Sequence, residues 1–274
     1  MFGARVSRGF RLARQSWDVL RADTELIWLA VGSLFLSLVV GAGLFLTYLA
    51  VSAGLPAEGE SVGATEYLFM AAAAISLTYI SQLTLAAIVA AASMRLAGGD
   101  PTLADAVGPA FKRAHTLLGW TFITVVVGTI LRALRERAGL LGRILVWVAE
   151  MAWAVTTFLV VPVIVHEDLG PWESVKRSSA LFKERWGEQL VGEGAIGIAM
   201  FLIGLPIFLV TGLLAAAVPP VGITLLVVEV VAFCAIGTAM GGVFRAVLYQ
   251  YAVSGAVAGP FSSSDLASQF HPKR

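Results

Sequence analysis

Residues 26–53 read LIWLAVGSLFLSLVVGAGLFLTYLAVSA, twenty-eight residues without one charged side chain. About 20 apolar residues cross the hydrocarbon core of a bilayer as a helix, so this run is long enough to span one. It is rich in Leu, Val, Ala and Gly and lacks any apolar/polar alternation, which favours a helix over a barrel strand. About 24 polar-rich residues precede it, and it is nearly twice as long as a signal-peptide apolar core, so it reads as a retained transmembrane helix. Five more apolar runs follow: Tyr67 to Ala97, a short one from Thr116 to Leu131, Leu141 to Val165, Leu190 to Val218, and Val221 to Ala252. Several exceed the bilayer thickness and are expected to tilt or to emerge from it.

The whole chain agrees with this run. Of 274 residues, 58% are hydrophobic and only 14% charged, where an average soluble domain carries about 25% charged residues. The mean hydropathy is +0.85. Such a composition excludes a disordered chain, a secreted disulfide scaffold and an ordinary cytosolic enzyme. A net charge of +1 provides no field to draw in nucleic acid. The single cysteine, Cys234, has no partner for an internal disulfide and is expected to be a small inert core residue.

Three polar-faced stretches lie between the apolar runs. In the first, Phe2, Val6, Phe10, Ala13, Trp17 and Leu20 form one helical stripe, with Arg5, Arg8, Arg11, Arg14 and Arg21 around it. In the second, Leu103, Ala106, Val107, Ala110 and Phe111 face Asp105, Lys112 and Arg113. In the third, Trp172, Val175, Ser179, Phe182 and Trp186 oppose Glu173, Lys176, Arg177, Lys183 and Glu184. This is the pattern of helices lying in the membrane interface, with Arg5, Arg8, Arg11, Arg14, Lys176 and Arg177 expected to meet anionic lipid headgroups.

The expected fold is therefore an all-α integral membrane protein, with six transmembrane helices as three hairpins, each preceded by an amphipathic interfacial helix. A single membrane domain covers 1–274: an interfacial helix at 1–24, a hairpin at 25–99, an interfacial helix and hairpin at 100–169 and again at 170–259, and a cytoplasmic tail at 260–274. The joints Gly99-Asp100-Pro101, Leu169-Gly170-Pro171 and Ala258-Gly259-Pro260 are alike, Gly ending one helix and Pro opening the next. Ser264, Asp265 and Leu266 hint at a truncated fourth interfacial helix. With both termini inside, fifteen Lys and Arg lie on the cytoplasmic side and four outside; a re-entrant third run worsens the split to twelve and seven. The reading is a cytoplasmic membrane of a bacterium or archaeon, with Arg132, Arg135, Arg137 and Arg143 an anomaly outside.

The stretch from Pro162 to Phe182, PVIVHEDLGPWESVKRSSALF, carries a resemblance. A Pro near a helix end, an acid, a Gly, then a short helix with a basic residue and Ser occur here as Pro162, Glu167, Gly170, Arg177 and Ser178. The pattern resembles one in uncharacterised polytopic membrane proteins of bacteria and archaea, and is similar to the membrane domain fused to some glycerophosphodiester phosphodiesterases. The resemblance implies an α-helical integral membrane protein and carries no catalytic chemistry.

An ionisable residue inside a membrane is a functional candidate because it is costly there. Glu150 and Glu229 lie at similar depth in the fourth and sixth runs. Either they bind a cation or relay a proton, or each pairs structurally, for instance with Arg132 or Arg135. Glu193 is expected to snorkel near the interface. Tyr79, Ser81, Gln82 and Thr84, with Thr156 and Thr157, either line a polar path or bond to neighbouring helices. Gly237 and Gly241, and Gly194 and Gly197, point to tight helix contacts within or between protomers. His166-Glu167-Asp168 reads as a polar helix end rather than a metal site, and His115 and His271 lie apart from it. No metal, cofactor or catalytic signature is expected. The function expected is that of a channel or transporter-type component in a homo-oligomer; the alternative is a membrane-organising or accessory subunit binding lipid or another membrane protein.

Overall fold

A computed structural model describes residues 17–18, 20–21, 25–53, 63–186 and 193–255, with side chains through Glu184 in that part of the chain and again from Ile203 onward. The expectations on Arg5, Arg8, Arg11, Arg14, Gly194, Gly197, His271, the Glu193 side chain and the 260–274 tail lie outside the described residues. Every regular element among those described is a helix: α1 (Glu25–Ser52), α2 (Ala64–Leu96), α3 (Leu103–Lys112), α4 (Ala114–Arg137), α5 (Leu140–Thr157), α6 (Val160–Glu167), α7 (Pro171–Trp186), α8 (Glu193–Ala217) and α9 (Pro219–Ser254).

Five of these stretches are long and apolar enough to cross a membrane: α1, α2, α4, the α5–α6 pair over Leu140–Glu167, and α9. The apolar part described in α8, Ile203–Ala217, is shorter. Two boundaries differ from the hydropathy reading. The third run does not stop at Leu131, because the helix continues to Arg137. Arg132 donates to Glu136 one turn on, at 2.9 Å, a spacing that supports a polar helical end. The fourth run is not one helix but two, parted at Phe158–Leu159.

The core sits at one end of the bundle. It is built from the start of α1 (Leu26, Ala30), the C-terminal half of α2 (Ala86 to Ala92), the start of α4 (Leu117, Trp120), α6, and the C-terminal half of α9. The short helices α3 and α7 close that end. Ala106 and Ala110 of α3 are buried, while Leu103 and Phe111 remain exposed. Thr102 caps α3: its hydroxyl accepts from the Asp105 amide, and the Asp105 carboxylate accepts from the Thr102 amide. The Thr102 hydroxyl also donates to the Asp105 carboxylate at 2.7 Å, and this bond, ahead of that from the amide, holds the Asp105 carboxyl below the usual carboxylate range. Toward the other end the helices turn large apolar side chains outward, among them Phe35, Leu46, Leu141, Trp147, Leu213 and Val228. Apolar surface on this scale has lipid or protein as its natural solvent.

The buried face of α7 is displaced from the expected stripe. Ser174, Val175, Ser178, Leu181 and Phe182 are buried, and Trp172 is exposed. Val175 and Phe182 conform, but two serines lie inside because their hydroxyls have backbone partners there. From the N-terminal stripe, Leu20 is buried, Trp17 packs against the core, and Arg21 lies over the Trp17 ring.

Candidate functional site

The polar chemistry of the packed end is built around the α5–α6 break. Proline lacks an N–H, and its ring collides with the carbonyl four residues back; Pro162 thus disturbs the turn at Phe158. Two neighbouring groups that leave the helical ladder at this break, the Leu159 amide and the Thr156 carbonyl, are taken up by α7. The Leu159 amide donates to Ser178 Oγ at 3.2 Å, and the Ser178 hydroxyl donates to the Thr156 carbonyl at 2.6 Å. One buried hydroxyl therefore bridges the two helix ends. Phe158, at the break, meets Phe182 and Phe244 edge-on, with centroids at 6.1 and 6.3 Å, and the Arg245 guanidinium 4.8 Å from its ring centre.

Four helices are tied together just beyond. Glu167 accepts from Arg177 Nε at 2.8 and 3.1 Å and from the Tyr249 hydroxyl at 3.0 Å. The hydrogen bond to Glu167 raises the Arg177 guanidinium above its ordinary value. The His166 ring stacks on Tyr249, centroids 5.1 Å apart, and its Nε2 lies 3.0 Å from Ser93 Oγ. Gln250 donates to the Ser93 carbonyl at 3.4 Å. Asp168 ends α6 in the left-handed region, with φ 54°, and pairs with Arg113 between α3 and α4. His166, Glu167 and Asp168 thus turn to three different partners. Among the described residues, no three His, Cys, Asp or Glu side chains come close enough to share a metal. A Cβ at Gly170 would collide with the Glu173 carboxylate. Pro162, Glu167, Arg177 and Ser178 of the Pro162–Ser178 pattern therefore have a structural part in this end of the bundle.

The second polar system recurs in three helix pairs. Tyr48 of α1 donates to Glu66 of α2 at 3.3 Å. Arg135 of α4 pairs with Glu150 of α5. Thr211 of α8 lies 2.5 Å from Glu229 of α9. Each pair holds one carboxylate by a side chain from its own preceding helix. Glu150 and Glu229, read together in the sequence, thus belong to separate clips. Three of the four anomalous arginines have work of their own: Arg132 holds Glu136, Arg135 holds Glu150, and Arg143 donates to the Ala138 carbonyl at 3.2 Å. The Glu150→Gln variant is expected to lose stability and Arg135→Gln to restore part of it. A double-mutant cycle by thermal unfolding should show a coupling of about 0.5–3 kcal/mol; additive effects would mean that the pair contributes nothing.

The remaining sequence candidates are placed as follows. Tyr79 donates to the Ala114 carbonyl at 3.2 Å, joining α2 to α4. Thr84 and Thr156 bond back to the Ile80 and Ala152 carbonyls of their own helices, at 2.8 and 2.7 Å. Gln82 is half-buried on α2. Lys176 is exposed, whereas Arg177, expected to face headgroups, is engaged by Glu167. A Cβ at Gly241 would meet nothing within 4 Å; the next residue, Gly242, is the one in close contact, against Ile88 of α2. Gly222 approaches the Ala215 backbone just as closely. Cys234, expected in the core, is exposed on α9, in a span whose outward face is apolar. Residue type alone suggests a buried cysteine, but helical phase decides which way it faces. The sequence reading gave no role to Tyr249 or Glu66, and their signal is weak: one polar side chain near the end of a long apolar run.

The long apolar helices define the class: an α-helical integral membrane protein. Residues 65–259 match the model of a family of unknown function, DUF6159, and the chain belongs to that family. No curated protein and no solved structure matches it.

Proposed function

We propose that this is a non-enzymatic membrane-organising or accessory subunit, acting by binding lipid and other membrane protein. The observation that supports this best is the carboxylate clips: Glu66, Glu150 and Glu229 are each bonded within their own helix pair, while large apolar side chains face outward from the same segments. In this reading α8 is the sixth crossing, the packed end with α3 and α7 is cytoplasmic, both termini are cytoplasmic, and the membrane is that of a bacterium or archaeon. The exposed Lys112, Lys176 and Lys183 then lie where anionic headgroups are. The resemblance to membrane domains fused to phosphodiesterases fits an accessory role, in which such a domain holds a partner at the membrane.

The channel or transporter reading retains one observation in its favour. Glu229 Oε1 is buried and has no hydrogen-bond partner among the described residues. The two readings part in one experiment. The protein is labelled sparsely with a fluorophore, incorporated into anionic vesicles, and counted by stepwise photobleaching, alongside proton and cation flux assays. Assembly into oligomers without flux supports the organising role. Monomers, or flux that Glu229→Gln abolishes, overturn it. Topology is checked in the same vesicles: an impermeant thiol reagent is expected to label a cysteine at Ser61 and one at the exposed Lys176 from opposite sides, once Cys234 is replaced.

A further inference from the structure

We propose that one edge of α7, carrying Trp172, Lys176 and Lys183, is a binding site for the phosphate headgroups of anionic phospholipids; this rests on the interfacial place given to α7 above. At 100° per residue, Trp172, Lys176, Ser179 and Lys183 fall within an arc of about 60° on that helix. Trp172 and both lysines are exposed. Glu173 and Glu184, also exposed, lie about 80° further round. Arg177 is on the glutamate side, and Glu167 neutralises it there. Among its described side chains, α7 therefore places its unpaired cations along one exposed edge and its unpaired anions along the other.

Three arginines of the packed end have acids of their own: Arg95 meets Asp100, Arg113 meets Asp168 and Arg177 meets Glu167. Among the described residues, no carboxylate pairs with Lys176 or Lys183. Two observations favour lipid over an acidic protein surface as their partner. The first is depth. Ser178, between the two lysines in the chain, donates to the Thr156 carbonyl at the end of α5. Helix α5 has 18 residues, about 27 Å of helix, close to the roughly 30 Å of a hydrocarbon core. It turns Leu145, Trp147 and Met151 outward. The middle of α7 is thus fixed at the rim of an apolar span, where phosphates lie. The second is Trp172, whose exposed ring shares the arc of the lysines. An indole settles at headgroup level, and a lysine lays its alkyl stem along apolar surface while its ammonium stays at the polar layer. Lys176 and Lys183 are about 10 Å apart along the helix axis, so each meets a headgroup of its own.

Full-length protein is incorporated into phosphatidylcholine vesicles containing a minority of phosphatidylglycerol. Bromine atoms on the acyl chains, close to the headgroup, quench a tryptophan that they touch, so the signal reports lipid and not free phosphate. The share of Trp172 is the difference between the protein and its Trp172→Phe variant. At equal mole fraction, brominated phosphatidylglycerol is expected to quench Trp172 more than brominated phosphatidylcholine, and high salt should weaken that preference. Each lysine is worth about fivefold in binding at an anionic surface, so Lys176→Gln with Lys183→Gln should remove the preference. Glu173→Gln with Glu184→Gln, on the other edge, should keep or strengthen it. All four positions are exposed, so these variants are expected to fold, and their elution on gel filtration verifies that. Equal quenching by both lipids, or a preference that survives the double lysine variant, overturns the proposal. Absence of quenching by either lipid also overturns it and leaves the lysine edge to an acidic protein. Counting subunits in the same vesicles separates this site from the organising role. Oligomers without a lipid preference mean that the site fails and the role stands; a lipid preference in a monomer means the reverse.

Discussion

Replacing Ser178 with alanine is expected to lower the stability of the folded protein by about 2–5 kcal/mol. The side chain is small, so the loss does not come from packing. It comes from the Leu159 amide and the Thr156 carbonyl, which Ser178 serves together at the α5–α6 break. Each buried group left without a partner costs about 1–3 kcal/mol. Pro162 adds to the break without repairing it, since it has no N–H for the Phe158 carbonyl four residues back. Ser179, the half-buried neighbour, is the control, and its alanine variant is expected to stay within about 0.5 kcal/mol of the parent. Denaturation in mixed detergent micelles, followed by circular dichroism, measures both. If the two variants unfold alike, α7 is a surface helix and the hydroxyl bridge is unimportant.

Gly222→Ala is expected to destabilise the α8–α9 pair by about 1–3 kcal/mol, the usual range for forcing an extra carbon into a filled space. An added Cβ would collide with the backbone of Ala215 and Leu214. Backbone cannot rotate aside as a side-chain tip can, so the two helices must separate. Gly241→Ala should be silent or slightly stabilising, because no atom lies within 4 Å of its Cβ position and Ala favours a helix over Gly by up to about 1 kcal/mol. Thermal unfolding of the two variants side by side tests the assignment. A destabilised Gly241→Ala would mean that the Gly237–Gly241 face is covered by a second copy or another membrane protein. A silent Gly222→Ala would mean that α8 and α9 do not meet as described.

Hydropathy alone was enough to mark α1, α2 and α9 as long and apolar enough to span, because a run this long with so few charges has no better solvent than lipid. It was also enough to place short amphipathic helices at α3 and α7, since Asp105, Lys112, Glu173 and Lys183 recur on one side of an apolar stripe. It misjudged the end of α4, because arginines lower hydropathy without breaking a helix. It missed the break at Phe158, because a lone proline among valines barely changes the mean.

The site was less legible, for a reason of geometry. Helical phase differs by 100° between neighbours, so a small error in the axis of α7 exchanges Ser178 for Ser179 as the inward residue. The same holds for Gly241 and Gly242 on α9. Ion pairing is harder still: Glu150 sits fifteen residues from Arg135, and Glu167 eighty-two from Tyr249. Composition and the lengths of the apolar runs determined that this chain is a helical membrane protein, because both depend only on what lipid tolerates. Which acid meets a cation, which meets a hydroxyl, and which serine closes the broken helix were decided by the tertiary structure. Those outcomes depend on the distance between particular atoms on different helices, and no run of neighbours in the chain records it.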